Sequence, residues 1–370
     1  MGYLISNKIR KFIQNNRCTL LGAGPMSRNC IDASINLSNK FEVPLMLIAS
    51  RRQIDSKEFG GGYVNNWDTK AYAEYIINKD KKGKIILCRD HGGPWQNPKE
   101  VKENMSLKAA MESAKTSYKN DIDSGFELIH IDPSIDIHAK PSKEEILERV
   151  FELYEFCWSY ALKQNREITF EIGTEEQSIS TNTQEELEDT LSKMRSFCKK
   201  NHLPDPTFVV VQTGTKVIET ENIGSFDTPV RQPNEIPVEI QVPKVIEICK
   251  KNNILLKEHN CDYLSDESLK WHPRFGIHAS NVAPEFGVHE SRALINLMEK
   301  EGLKELRDKF LNIAFDSQKW KKWLKTNSTS NDYEKSIMAM HYVFSSKEFI
   351  ELKEIGRNKL NEKNIDLDLY

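Results

Sequence analysis

Short apolar runs recur at fairly regular intervals along the chain. Eight stand out: Cys18 to Gly24 (CTLLGAG), Pro44 to Arg51 (PLMLIASR), Lys84 to His91 (KIILCRDH), Leu128 to Ser134 (LIHIDPS), Thr169 to Glu175 (TFEIGTE), Phe208 to Thr215 (FVVVQTGT), Ile254 to Asp262 (ILLKEHNCD) and Phe275 to Val282 (FGIHASNV). Continuous apolar runs of this length mark parallel strands covered on both faces. Between most of them lie stretches with apolar residues at three- and four-residue spacing, such as Lys143 to Gln164 and Glu185 to Lys200, which predict helices. Strand and helix in alternation specify a parallel sheet, and eight repeats suffice to close it, so the pattern predicts an α/β fold of the (β/α)8 TIM-barrel type. An open doubly wound sheet is the competing architecture. The seventh connection, Tyr263 to Arg274, leaves room for only a brief helix. Ser291 to Tyr370 reads as additional helices, giving a barrel over residues 1–290 and a helical extension over 291–370 packed on it. Ile218 to Pro243, with Pro229, Pro233, Pro237 and Pro243, reads as a long excursion over the barrel mouth.

A length of 370 residues suits one barrel with a few extra helices, and a 38% hydrophobic share can fill its core. Lys and Arg (52) do not exceed Asp and Glu (55), so the basic stripe that nucleic-acid binding needs is missing. Seven scattered cysteines without a CxxC pair argue against a disulfide framework and a cysteine-built zinc site. The first sixteen residues lack the apolar run of a signal peptide, and no window reaches the ~18–20 apolar residues of a membrane span. The expectation is a soluble cytoplasmic protein with no membrane or nucleic-acid partner.

In a barrel of this kind the functional face is built by the carboxyl ends of the strands. Here those ends are polar: Arg51 and Gln53, Asp90 and His91, Asp132, Glu171 and Glu175, Gln212, Glu258 and His259, Ser280 and Asn281. For any single residue, the plain reading is that strand ends are where water begins. The set as a whole would converge on one mouth. Asp90-His91 and Glu258-His259 each offer an imidazole for a cation beside a carboxylate able to move a proton. Such ligands on a Zn²⁺-type ion with an open position would polarise a ketone or hydroxyl oxygen of a sugar. Glu171 or Glu175 could complete the ligand set, while His278 could be a ligand or a hydrogen-bonded core residue. His130, inside the fourth run, reads as a core histidine. Gly214-Thr215 and Ser280-Asn281 suit phosphate or hydroxyl binding. One of the adjacent Arg51 and Arg52 has to point away from the mouth. No phosphate loop of the GxxxxGKS/T type occurs, which removes the commonest kinase reading.

These endings resemble those of the tagatose-1,6-bisphosphate aldolase accessory-subunit (GatZ/KbaZ) family, related in chemistry to class II ketose-bisphosphate aldolases. The resemblance covers roughly residues 18 to 300. Ile48-Ala49-Ser50 with Gln53 and Phe59-Gly60-Gly61-Gly62-Tyr63 resembles the family's SNQ…FGGYTG stretch, and Arg89 to Pro98 resembles its GGDHLGPNxWQ segment. Ile129 to Ser134 is similar to KIHLDCSM, Ile172-Gly173-Thr174-Glu175 to IGTEV, and Glu258 to Tyr263 to EGHSTDYQ. The chain departs from the pattern at Arg89 (usually glycine), Gly92 (leucine) and Asn260-Cys261 (Ser-Thr). The resemblance implies an aldolase or a ketose or uronate epimerase, or a non-catalytic subunit that stabilises a separate aldolase.

The expectation is therefore a metal-dependent enzyme cleaving or epimerising a ketose, phosphorylated or not. His91 and His259, with Glu175 or Glu171, would hold a divalent cation such as Zn²⁺. Asp90 or Glu258 would serve as general base or acid, and Arg51, Gln53, Asp132, Gln212, Ser280 and Asn281 would contact the sugar. The expected partners are this sugar or sugar phosphate, with further copies of the chain or an aldolase subunit. A Schiff-base enzyme would need a lysine inside the barrel, for which Lys257 is the one candidate.

Overall fold

The structure, a computed structural model, describes residues 3–173, 184–227 and 237–368. Each of the eight apolar runs holds one strand: β1 (Leu20–Ala23), β2 (Leu45–Ser50), β3 (Ile85–Gly92), β4 (Leu128–Ile131), β5 (Thr169–Ile172), β6 (Phe208–Val210), β7 (Leu255–Glu258) and β8 (Ala279–Val282). Each pairs in parallel with the next, and β8 returns to β1, with Leu20 beside Ala279, so the sheet is a closed barrel. Helices surround it, and further helices follow β8, which makes the fold a (β/α)8 TIM barrel with C-terminal helices. Most strands end before their apolar runs do, because the polar tails leave the ladder to form the mouth.

Successive side chains of a strand point to opposite faces, so one parity fills the barrel and the other meets the helices. Leu47, Ile129, Phe170, Val209 and Leu256 face outward into the main core. Leu20, Met46, Ile86, Leu128, Phe208 and Leu255 point inward, where they pack against Ile5, Ile9 and Ile13. These three isoleucines recur every fourth residue in the helix Tyr3–Asn16, which plugs the amino-terminal end of the barrel. Glu167 Oε1 accepts the Leu4 and Ile5 backbone N–H groups at 2.8 and 3.0 Å and caps that helix.

The proline-rich stretch is less of a loop than its composition suggests. A small hairpin joins Val217–Ile218 to Glu221–Asn222, and the helix Val238–Lys251 carries Pro243 in its second turn. The seventh connection holds the ten-residue helix Asp266–Phe275, started by the Ser265 side chain accepting from Ser268 N–H. After β8 come the helices Pro284–Lys300, Lys304–Asp316, Asp332–Ala339 and Lys347–Asn361. Met298, Phe310, Ile337, Phe349 and Leu360 form a separate apolar cluster among them. Residue 290, the expected limit of the barrel, falls inside the first of these helices. Among the described residues no helix is long and apolar enough to cross a membrane.

Candidate active site at the barrel mouth

Strand parity decides which polar residues meet. In register, Ser50 lies beside Asp90 and His130 beside Glu171. All four share the inward face with Leu128 and Cys88 one step below. On β7 the inward parity runs through Leu255, Lys257 and then His259. Strict alternation on β3 would send His91 outward, but the strand bulges between Arg89 and Gly92, and His91 adopts the left-handed region with φ 43°. The bulge re-aims its ring, so Asp90 and His91 both face the mouth.

The result is a compact group of Asp90, His130, Glu171 and His259, whose ligand-type atoms all lie within 4.8 Å of one another. His259 Nε2 is 3.0 Å from Glu171 Oε1 and 3.8 Å from Asp90 Oδ1. His130 Nδ1 is 3.7 and 3.8 Å from the same two oxygens. Ligands held at 2.0–2.2 Å in a tetrahedral site are about 3.4 Å apart, so the spacing is close to what one small cation requires. Two imidazoles and two carboxylates also suit a borderline divalent ion by chemistry. His130 Nδ1 accepts the His91 backbone N–H at 3.1 Å, while its buried Nε2 has no partner among the described residues. Gly173 makes room there, since a Cβ at that position would stand 2.6 Å from His130 Nε2.

Charge and burial compete throughout the group. Burial would raise the Asp90 carboxyl, but His91, His130, His259 and Lys257 outweigh it and hold it far below the usual carboxylate range. Against the same burial, Lys257, His130 and His259 lower Glu171 to about 2. Lys257 Nζ donates to Glu171 Oε2 at 2.5 Å from beneath the group, and its own pKa is raised because Glu171, Cys88 and Asp90 overcome its burial. His91 lies at the rim, its side chain 32% exposed, with Nδ1 2.7 Å from Asp132 Oδ2. Burial opposes its charge, yet Asp90 and Asp132 raise it to about 9. For His259, burial prevails and lowers the pKa.

The remaining expected residues divide by parity. Asn281 Nδ2 donates to Asp90 Oδ1 at 3.2 Å, and Gln53 lines the mouth while Nε2 donates to Pro25 O at 3.1 Å. Asp132 holds His91, and Gln212 is buried two residues past β6 on its inward parity. Glu258 is not brought to the group. It faces outward, next to Ser280 in register, where Thr213, Cys261, Ser280 and His272 surround its carboxylate, the last at 2.5 Å. Ser280 is outward for the same reason. Arg51 also turns away, into a buried pair with Asp55 at 2.9 Å and Glu100 at 2.7 Å, and Arg52 takes its place at the mouth. His278 accepts the Leu256 N–H through Nδ1, and burial lowers it to about 4. Arg89, a departure from the resembled pattern, binds Asp121 at 2.5 Å behind the barrel wall. Glu175 lies outside the described residues.

His130, read from the sequence as core, belongs to the group because its neighbours on the inward face are polar. A cavity of about 160 Å³ opens above Asp90, His91 and His259. Its other walls come from Arg52, Asn260 and the C-terminal residues Lys322, Trp323, His341 and Tyr342, which no strand-end pattern could identify.

A closed barrel with a cluster of imidazoles and carboxylates at the strand ends, able by its chemistry to hold a cation, defines a TIM-barrel protein whose candidate site lies at its mouth. The chain matches, over residues 6–347, the family described as D-tagatose-1,6-bisphosphate aldolase subunit GatZ/KbaZ-like, and it belongs to that family. Its role is thereby related to that of tagatose-bisphosphate aldolase. A solved structure of a probable tagatose 6 phosphate kinase from Sinorhizobium meliloti 1021 matches with a TM-score of 0.70 at 14% identity, over 94% of this chain and 93% of that one. Fructose-bisphosphate aldolase from Campylobacter jejuni matches with a TM-score of 0.51 at 12% identity, over 96% and 93%. At such identities the likeness is one of fold. No curated protein matches the chain by sequence.

Proposed function

We propose that the chain is a divalent-metal-dependent enzyme that cleaves a ketose by an aldol-type reaction or epimerises it. The observation that carries this reading is the convergence of Asp90, His130, Glu171 and His259 on one volume at the foot of an open cavity. His130, Glu171 and His259 would hold the ion, leaving a position open beside Asp90, and Zn²⁺ fits the donor set. When bound, the ion polarises a carbonyl or hydroxyl oxygen of the sugar. His91, oriented by Asp132, reaches the same space and is the group placed to take or return a proton. Asn281 orients the Asp90 carboxylate by donating to its Oδ1, and Gln53 is fixed at the cavity wall by the Ser50 N–H and the Pro25 carbonyl. Seven unpaired cysteines suit a reducing, cytoplasmic compartment.

The test is metal analysis of the purified protein, followed by assays on a panel of ketoses, ketose phosphates and keto sugar acids with and without chelator. Activity that tracks metal content supports the reading. Unchanged metal content in both His130→Ala and His259→Ala rejects the site. A second reading follows from the family's description as an aldolase subunit: a barrel that stabilises a separate catalytic chain. An inert purified protein that prolongs the active life of a co-expressed aldolase would favour it.

A further inference from the structure

The cavity above the candidate metal group has a cationic wall that the strand-end chemistry does not use. Arg52 follows β2, and Lys322 belongs to the short 3-10 segment Lys319–Trp323 after the helix Lys304–Asp316. Both line the cavity, and both side chains remain open to solvent. Among the described residues neither has an ion-pair partner. Lys322 Nζ sits 4.5 Å from the Tyr342 ring centre and 4.9 Å from that of Trp323, and Tyr63 stacks edge-on against Tyr342 at 5.1 Å. The aromatic rings hold the ammonium in place without neutralising it. Partial burial, then repulsion from Arg52 and Lys319, lowers Lys322 to about 8, so it stays mainly charged at neutral pH.

Two buried polar groups on the same wall lack partners among the described residues. The His341 ring is 1% exposed, and among the described residues neither Nδ1 nor Nε2 has a hydrogen-bond partner. It packs 4.0 Å from the Tyr342 ring, and Gly287 makes room for it, since a Cβ there would stand 2.7 Å from the imidazole. Asn260, in the left-handed region with φ 59°, carries a buried Nδ2 with no acceptor among the described residues. Unsatisfied buried polar groups are costly and call for an absent partner. The carboxylates that line the cavity do not supply it. Asp262 Oδ1 accepts the Ala283 and Glu285 backbone N–H groups at 2.9 and 2.8 Å, and Asp90 belongs to the candidate metal group.

We infer that Arg52, Lys322, Asn260 and His341 form an anion subsite that binds the charged terminus, carboxylate or phosphate monoester, of the sugar whose oxygens reach the Asp90–His259 group. Guanidinium, ammonium, amide and imidazole together offer the donors that such an oxyanion accepts, and the anion gives both cations and both orphaned groups their partners. The inference rests on the sugar reading above. It moves recognition of the anion from the loops after β6 and β8 to the turn after β2 and the C-terminal segment. That segment thereby becomes part of the site and not only a packing layer.

The test titrates the whole protein with inorganic phosphate, gluconate and sorbitol by calorimetry, with metal content measured on the same samples. One or both anions bind, sorbitol does not, and Arg52→Gln and Lys322→Gln each weaken anion binding by about tenfold, or ~1.4 kcal/mol, with metal content unchanged. Tighter phosphate binding identifies a sugar phosphate, and tighter gluconate binding identifies a sugar acid. No binding of either anion, binding of sorbitol as strong as that of gluconate, or undiminished binding by both variants overturns the inference. Because metal content is read separately, a failed metal site and a failed anion subsite give different results.

Discussion

Removing one imidazole from each side of the barrel wall separates chemistry from stability. His259 and His272 are both buried, and each ring faces a glutamate: His259 Nε2 lies 3.0 Å from Glu171, and His272 Nε2 lies 2.5 Å from Glu258. In His259→Ala, Glu171 keeps Lys257 at 2.5 Å, so the fold loses only about 1–3 kcal/mol. The proposed metal site, however, loses a ligand, so metal affinity is expected to fall by more than the ~10–100-fold that loss of an outer-shell partner costs. In His272→Ala, Glu258 keeps Thr213, Cys261 and Ser280 and loses the imidazole whose pKa it raises. Breaking one partner out of a buried pair costs ~3–5 kcal/mol. At an m-value of about 3 kcal/mol/M, that lowers the urea midpoint by roughly 1–1.7 M. Metal stoichiometry of the still-folded His272→Ala protein stays at the wild-type level. Urea titration and metal analysis of the two variants are the assay. The crossed outcome, metal lost in His272→Ala and kept in His259→Ala, would refute the assignment of the two faces.

Arg51 and Arg52 give a second contrast: Arg51→Met costs ~3–5 kcal/mol by stranding Asp55 and Glu100, whereas Arg52→Met stays within about 0.5 kcal/mol, as chemical denaturation will read. His341 sets an acid limit. Burial, then Lys322, lowers it to about 3, so below the unfolded value of about 6.5 the unfolded chain takes a proton that the folded one refuses, and stability falls with falling pH by ~1.4 kcal/mol per unit. The loss is about 2 kcal/mol at pH 5, and unfolding free energies at pH 7 and 5 should show a smaller difference in His341→Gln than in the wild type. Ile9→Ala opens the plug at the barrel floor and costs ~2–5 kcal/mol, measured by thermal or urea unfolding, with metal content unaffected.

The barrel was legible because each strand is covered on both faces and therefore apolar throughout, a pattern that survives without any alignment. The same continuity hid the parity. With both faces apolar, nothing in KEHN or RDHG says which residue looks inward, and two dipeptides of equal appearance behave differently: the β3 bulge turns Asp90 and His91 to the same side, while β7 stays regular and separates Glu258 from His259. A one-residue change of parity likewise exchanged Arg51 for Arg52 and set Ser280 outside. His130 was passed over because a histidine within an apolar run has a ready explanation as core. Lys322 and His341 come from helices far along the chain, whose approach to the mouth depends on tertiary packing and leaves no local pattern.

The interior charges give the site its direction. Asp90 and Glu171 are held anionic and Lys257 is held cationic beneath them, while burial keeps His259 neutral by preference. That leaves about one net negative charge, enough to draw a dication and too little to neutralise it. Lys257 is 1% exposed and paired through Glu171, so it acts as a fixed counter-charge, and the lysine-nucleophile alternative loses its amine. Once a dication is bound, the foot of the cavity carries a net positive charge, as does the wall holding Arg52 and Lys322. A neutral sugar would leave both uncompensated, whereas a sugar ending in an anion and ionising at one hydroxyl would match each in turn. On the proposed metal site, foot and wall would together match an acidic sugar derivative better than a simple ketose.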